Sequence, residues 1–191
     1  MEIINDSQLM TMYLEGNPKA FESLVNRYAQ MIYRFTLKLV GNKEEAHDIT
    51  QETLIKAWKS IEKFDKKRNF KTWIFTIAQR TSIDSLRKRK DVNISSMDND
   101  ESGVEMNIPD NELMPDELFE RQENIELIQK ALETISIEEK TIILLHNGEE
   151  MTFDDIAEIL NKSINTIKSK YRRSLITLKD YIIKQNAPKQ P

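Results

Sequence analysis

The stretch Thr152-Phe153-Asp154-Asp155-Ile156-Ala157-Glu158-Ile159-Leu160-Asn161-Lys162-Ser163-Ile164-Asn165-Thr166-Ile167-Lys168-Ser169-Lys170 reads as two short helices around a tight turn. Thr152 can cap the first helix, with Asp155 placed three residues later to answer it. Ile156, Ala157, Ile159 and Leu160 supply its apolar side. The break falls at Asn161-Lys162, and asparagine enters the left-handed backbone region more cheaply than most side-chain-bearing residues. Ser163 caps the next helix, whose inward row is Ile167, Tyr171 and Leu175 at spacings of four. Such a pair, basic on the outside of its second member, is a helix-turn-helix. Its outward positions Asn165, Lys168, Ser169, Arg172 and Arg173 are suited to enter a major groove or contact its rims. Thr166 lies near the helix start, within reach of a phosphate or a base edge. Arginine can bridge guanine acceptors, whereas lysine and serine more often steady the backbone. Each residue alone is equally an ordinary surface residue; the group makes the case for DNA.

Charge is distributed to the same end. The formal net charge is -4, yet Lys162–Lys184 carries seven basic residues against one acidic. A second block, Lys56–Lys71, carries seven against two. Between them, Asp91–Glu120 holds ten acidic residues and no basic one. A uniform acidic chain would repel nucleic acid; two separated positive surfaces can each meet a phosphate backbone. The spacer has Ser95-Ser96, Gly103, two prolines and no sustained periodicity, so it is expected to be a flexible linker.

The N-terminal half reads as four helices. A short one covers Ser7–Glu15, and Pro18 suits the first turn of the next. There Phe21, Leu24, Val25, Tyr28, Ile32, Phe35, Leu39 and Val40 recur as one buried stripe. The third helix, about Lys43–Phe64, is capped by Asn42 with Glu45 expected to close the capping box. Ala46, Ile49, Thr50, Thr53, Ala57, Trp58 and Ile61 are expected on its inner face. Asp48, Glu52, Ile55 and Lys59 fall opposite, with Gln51 at the edge. That row is either a solvated face or, given Ile55 among carboxylates, a docking surface. The fourth helix runs from about Phe70 to Arg89, with Trp73, Ile74, Ile77, Ala78 and Leu86 inward. Its basic end is either a solvated run or a phosphate contact, to which Lys66, Lys67, Arg68 and Lys71 would add.

Several functions are excluded or disfavoured. With no cysteine, the chain has no disulfide, thiolate metal site or cysteine nucleophile. No apolar run is long enough to span a bilayer, and the amino terminus does not read as a signal peptide, which points to a cytoplasmic chain. His47 and His146 lie far apart, the carboxylates lack a metal-ligand pattern, and there is no glycine-rich phosphate loop. No catalytic residue, cofactor or metal is therefore expected. Four glycines and five prolines in 191 residues favour long helices over a many-stranded sheet. The expected fold is all-α: two small helical domains joined by a flexible acidic linker, the second holding the helix-turn-helix. Its divisions are residues 1–90, a linker 91–117, a second domain 118–184 and a disordered tail 185–191.

Asp48-Ile49-Thr50-Gln51-Glu52, followed by Ala57-Trp58 and Phe70-Lys71-Thr72-Trp73-Ile74, resembles the bacterial sigma factors of the extracytoplasmic function group (ECF, group 4). Met151–Leu160 and Ile164–Lys170 resemble the same family's second conserved domain, in matching order and separation. The resemblance covers roughly residues 10–90 and 120–181. It implies a factor that binds core RNA polymerase and directs promoter recognition and transcription initiation, often in stress response. Asp48, Gln51, Glu52 and Ile55 would dock on the β′ clamp helices. Lys66, Lys67, Arg68, Lys71, Trp73, Arg80 and Arg87 would engage and help melt the −10 element. Arg80 stands where members commonly carry asparagine, which suits it to phosphate rather than base contact. The recognition helix would read the −35 element, and the β flap and an anti-sigma factor are further implied partners. The rival reading is a stand-alone helix-turn-helix regulator, which leaves the Asp48–Ile55 face and the first module unused.

Overall fold

The computed structural model describes residues 4–65, 68–95 and 126–186. Every regular element among them is helical, in the order α1 (Asp6–Leu14), α2 (Pro18–Val40), α3 (Lys43–Ser60), α4 (Phe70–Ser95), α5 (126–133), α6 (Ile137–Ile143), α7 (Phe153–Leu160) and α8 (Ile164–Asn186). A 3-10 turn at Ile61–Lys63 extends α3, and a π turn at Leu144–Gly148 extends α6. Helix α4 runs five residues into the expected linker, to Ser95, and α8 two residues into the expected disordered tail, to Asn186, because each continues a helix already under way. The rest of both segments lies outside the described residues.

In the first bundle, α2 buries Ala20, Leu24, Tyr28, Ile32, Phe35 and Leu39 as one stripe at helical spacing. Phe35 meets Phe75 of α4 edge-on at 5.5 Å, while Phe70 lies near Tyr28, Phe64 and Trp73 at 5.3, 5.7 and 5.4 Å. Such offset pairs add to the burial term. Gly41 ends α2 in the left-handed region at φ 81°, and Asn42 then caps α3 by accepting from the Glu45 amide at 2.9 Å.

Three local expectations change. Glu45 does not close the capping box: its carboxylate accepts from Ser85 Oγ at 2.6 Å and pairs with Arg89 at 3.6 Å, so it fastens α3 to α4. Trp58 is 56% exposed rather than inward. At about 100° per residue it stands about 120° from the Ala46–Thr53–Ala57 stripe, beside Gln51. Leu175 is likewise exposed, and Ser174 takes the inward place after Ile167 and Tyr171. A row at strict spacings of four drifts by about 40° per step, so its third member leaves the seam.

The second bundle is fixed by local chemistry. Ser136 and Glu139 form a capping box at α6, and Thr152 and Asp155 form another at α7. Asn161 closes α7 at φ 51°, ψ 51°, the left-handed turn that lets α8 leave at an angle. The two bundles touch: α7 packs on α4, and the π turn on α2. Buried residues of both halves belong to one continuous apolar cluster.

Candidate nucleic-acid interface

Within the helix-turn-helix, Ile156, Ile159 and Ile167 are fully buried and hold α7 against α8. That packing leaves Asn165, Lys168, Ser169, Arg172 and Arg173 exposed together on the first turns of α8. Thr166 is half-buried and spends its groups locally: its amide donates to Ser163 Oγ at 3.1 Å and the two hydroxyls lie 2.8 Å apart. It is therefore a cap partner as much as a contact. Lys170 and Lys162 lean on Glu138 at 3.6 and 3.7 Å, tying α8 to the start of α6 rather than reaching outward.

The Arg68–Arg87 set divides in two. Trp73, Arg80 and Arg87 are seven residues apart, so they share one row of α4, with about 20° of drift per step. Arg80 and Arg87 are exposed, and Trp73 is half-buried in the aromatic cluster, 4.9 Å from Phe64. Arg68 and Lys71 point elsewhere, toward the second bundle. The Arg68 guanidinium pairs with Glu158 of α7, and Lys71 Nζ donates to the carbonyl of Glu149. Lys66 and Lys67 lie outside the described residues.

The α3 face is gathered as expected. Asp48, Gln51, Glu52 and Ile55 are all exposed, with Ile55 at 50%. Gln51 Nε2 lies 3.2 Å from His47 Nδ1, and Glu52 pairs with Lys56 at 2.8 Å. Lys56 also donates to Thr81 Oγ1 at 3.1 Å, so this face is braced against α4. Trp58 joins Ile55 one turn on, giving two large apolar groups among carboxylates. The sequence reading missed it by placing it inward; its angular distance from the alanine–threonine stripe was the available signal.

Among the groups at the joint, Asp155 and Glu149 have shifted protonation equilibria. Burial works against the charged form of Asp155, yet hydrogen bonds from Thr152 and Thr72, with Lys71 nearby, hold its carboxyl below the ordinary value. Burial pushes Glu149 above it, against the pull of Arg34, Lys71 and Lys38. Both belong to the contact between bundles.

Two helical bundles, one of them built on a helix-turn-helix, define the class of DNA-binding transcription factors. Residues 24–92 match the family model described as Sigma-70 region 2, and residues 125–178 match Sigma-70, region 4. The chain is 32% identical to the ECF RNA polymerase sigma factor SigW of Bacillus subtilis over 162 residues, 83% of this chain and 87% of that one. It is 29% identical to the ECF RNA polymerase sigma-E factor of Haemophilus influenzae over 182 residues, 91% of this chain and 93% of that one. Its fold is similar to that of the sigma factor RpoE solved in complex with the anti-sigma factor NepR from Bartonella quintana. There the TM-score is 0.73 at 24% identity, over 88% of this chain and 99% of that one.

The chain belongs to the ECF RNA polymerase sigma factors. It is a factor that binds core RNA polymerase and directs promoter recognition, and the stand-alone regulator is not favoured. No described helix is long and apolar enough to cross a membrane.

Proposed function

We propose that this sigma factor divides its work among three faces. The α3 face, Asp48, Gln51, Glu52 and Ile55 with Trp58 added, docks on the polymerase clamp. Arg80, Arg87 and Trp73, with Lys66, Lys67, Arg68 and Lys71, bind and help open −10 DNA. The start of α8 reads −35 DNA, with Arg172 and Arg173 as the groups able to bridge guanine or phosphate. Residues 1–90 and 118–184 are the corresponding functional units, working in the cytoplasm, with no catalytic residue of their own. Melting is favoured when an unpaired base gains an aromatic or cationic contact, which this set can offer.

One observation carries the reading: Ile55 and Trp58 stand open to solvent among carboxylates, on a helix distant in sequence from the basic recognition helix. A protein that only bound DNA would have no use for that face. Because RpoE was solved with an anti-sigma factor, and CnrH with the cytosolic domain of CnrY, a protein inhibitor is the expected further partner. The test is to assemble the purified protein with bacterial core polymerase and map transcript 5′ ends on genomic DNA fragments. New start sites sharing −35 and −10 elements are expected, and their loss in Asp48→Ala/Glu52→Ala. A folded, inhibitor-free protein that neither joins polymerase nor starts transcripts would refute the assignment.

A further inference from the structure

The start of α6 presents two carboxylates to the recognition helix. Glu138 Oε1 is buried, makes no hydrogen bond, and lies 3.6 Å from Lys170 Nζ and 3.7 Å from Lys162 Nζ. Beside it, hydrogen bonds with Ser136 hold the Glu139 carboxyl below the ordinary value against burial, and Lys170 and Arg173 add their pull. Lys162 belongs to the turn between α7 and α8, where its amide donates to the Ala157 carbonyl at 3.0 Å. Lys170 is two residues from Lys168 and two from Arg172. At about 100° per residue it therefore stands about 160° around α8 from both. Its stem leaves on the flank packed toward α6, and only 25% of its side chain is accessible.

We infer that Glu138 is a positioning residue that sharpens sequence choice: by holding Lys162 and Lys170 on one carboxylate, it withdraws two cations from DNA phosphates. The contact is then left to the face of α8 that meets base edges. This rests on the assignment of the start of α8 to −35 DNA. Phosphate contacts strengthen binding to every sequence, whereas base contacts discriminate. A duplex bound loosely has no fixed register, so released lysines can reach its phosphates by a small roll of the helix. A duplex held in register by Asn165, Arg172 and Arg173 keeps Lys170 turned toward α6. Neutralising Glu138 therefore helps wrong sequences more than the right one. The pairs are partly exposed, with 30% of the Glu138 side chain and 40% of Lys162 accessible, so each is weak and the bias is modest.

The full-length protein is titrated against two fluorescent duplexes, beginning at low salt, where phosphate contacts are strongest. One duplex carries the −35 element of its mapped start sites; in the other that element is scrambled. Glu138→Gln should tighten the scrambled duplex by about three- to tenfold and the −35 duplex by less than about twofold. On the scrambled duplex, the slope of log affinity against log salt should steepen by about 1–2, for up to two phosphates gained. Lys162→Ala/Lys170→Ala should change neither slope nor preference while Glu138 is intact, and should cancel the effect of Glu138→Gln when combined with it. A carboxylate that merely stabilised the start of α6 would give no such cancellation. Slope and preference unmoved by Glu138→Gln, or moved equally with and without the two lysines, would overturn the withdrawal and leave −35 reading in place. A wild-type protein that bound both duplexes alike would instead remove the −35 assignment, and this inference with it.

Discussion

Along the outer face of α3 an isoleucine and a tryptophan sit exposed among carboxylates, whereas the outer face of α8 opens with asparagine, lysine, serine and arginine. Both are polar helix faces in a helical protein, yet they suit different partners. Removing Ile55 and Trp58 from water gives a driving force that is nearly independent of salt. Neutralising phosphates with Lys168, Arg172 and Arg173 releases counterions and weakens steeply as salt rises. The contrast teaches that net charge identifies neither face. What separates them is whether exposed apolar groups stand among the charges, as Ile55 and Trp58 do, or only follow them, as Leu175 and Ile176 follow Arg172 and Arg173.

The largest effect expected to break this comparison comes from Ile55→Ala/Trp58→Ala. Loss of two clustered apolar anchors should weaken polymerase association by about 100-fold, as central interface residues commonly do. Fluorescence anisotropy with core polymerase checks it, and duplex DNA binding should not change. An equal loss of DNA affinity would mean that the faces are not separate. Next in size are Arg172→Ala and Arg173→Ala. A base-reading arginine should cost about 1–3 kcal/mol and relax sequence preference at one position. A phosphate-binding one should weaken all sequences alike and reduce the salt slope by about 1. Polymerase affinity should hold in both variants, and titrations at several salt concentrations distinguish the two roles.

Much of this organisation was legible because it is local. The turn at Asn161, the caps at Asn42 and Thr152, and the α2 stripe are each fixed by residues within a few positions of one another. The same locality set the limit. Counting residues rather than angle puts Trp58 and Leu175 inward, where a large apolar side chain is expected by default, yet both are exposed. The Glu45–Ser85 bond joins residues 40 positions apart, and Thr72–Asp155 joins residues 83 apart. No periodicity encodes such partners; they exist only after the helices dock. The split of the Arg68–Arg87 set was hidden for the same reason. Helix angle separates Lys71 from Arg80, but only packing reveals that one side of α4 meets α7.

The smallest effect sharpens the comparison by setting carboxylates in water against one in the joint. Asp48 and Glu52 are exposed, whereas Glu149 is 6% exposed and its Oε2 is buried without a hydrogen-bond partner. Arg34, Lys38 and Lys71 lie close enough to stabilise its charge, but burial outweighs them and raises its pKa above the ordinary 4.5. A carboxyl raised on folding stabilises the folded state fully below its unfolded pKa, and that contribution is lost as pH rises through the folded value. At neutral pH the Glu149 charge is therefore a net cost. Glu149→Gln should raise stability at pH 7 by about 1 kcal/mol, or roughly 2–4 °C in melting temperature for a chain of this size. The gain should close as pH falls below 4.5, where both proteins carry a neutral side chain. Thermal melts at neutral and acid pH check this. Asp48→Ala and Glu52→Ala should leave the melting temperature nearly unmoved while costing polymerase affinity, because an exposed carboxylate is available to a partner and a buried one only to the fold.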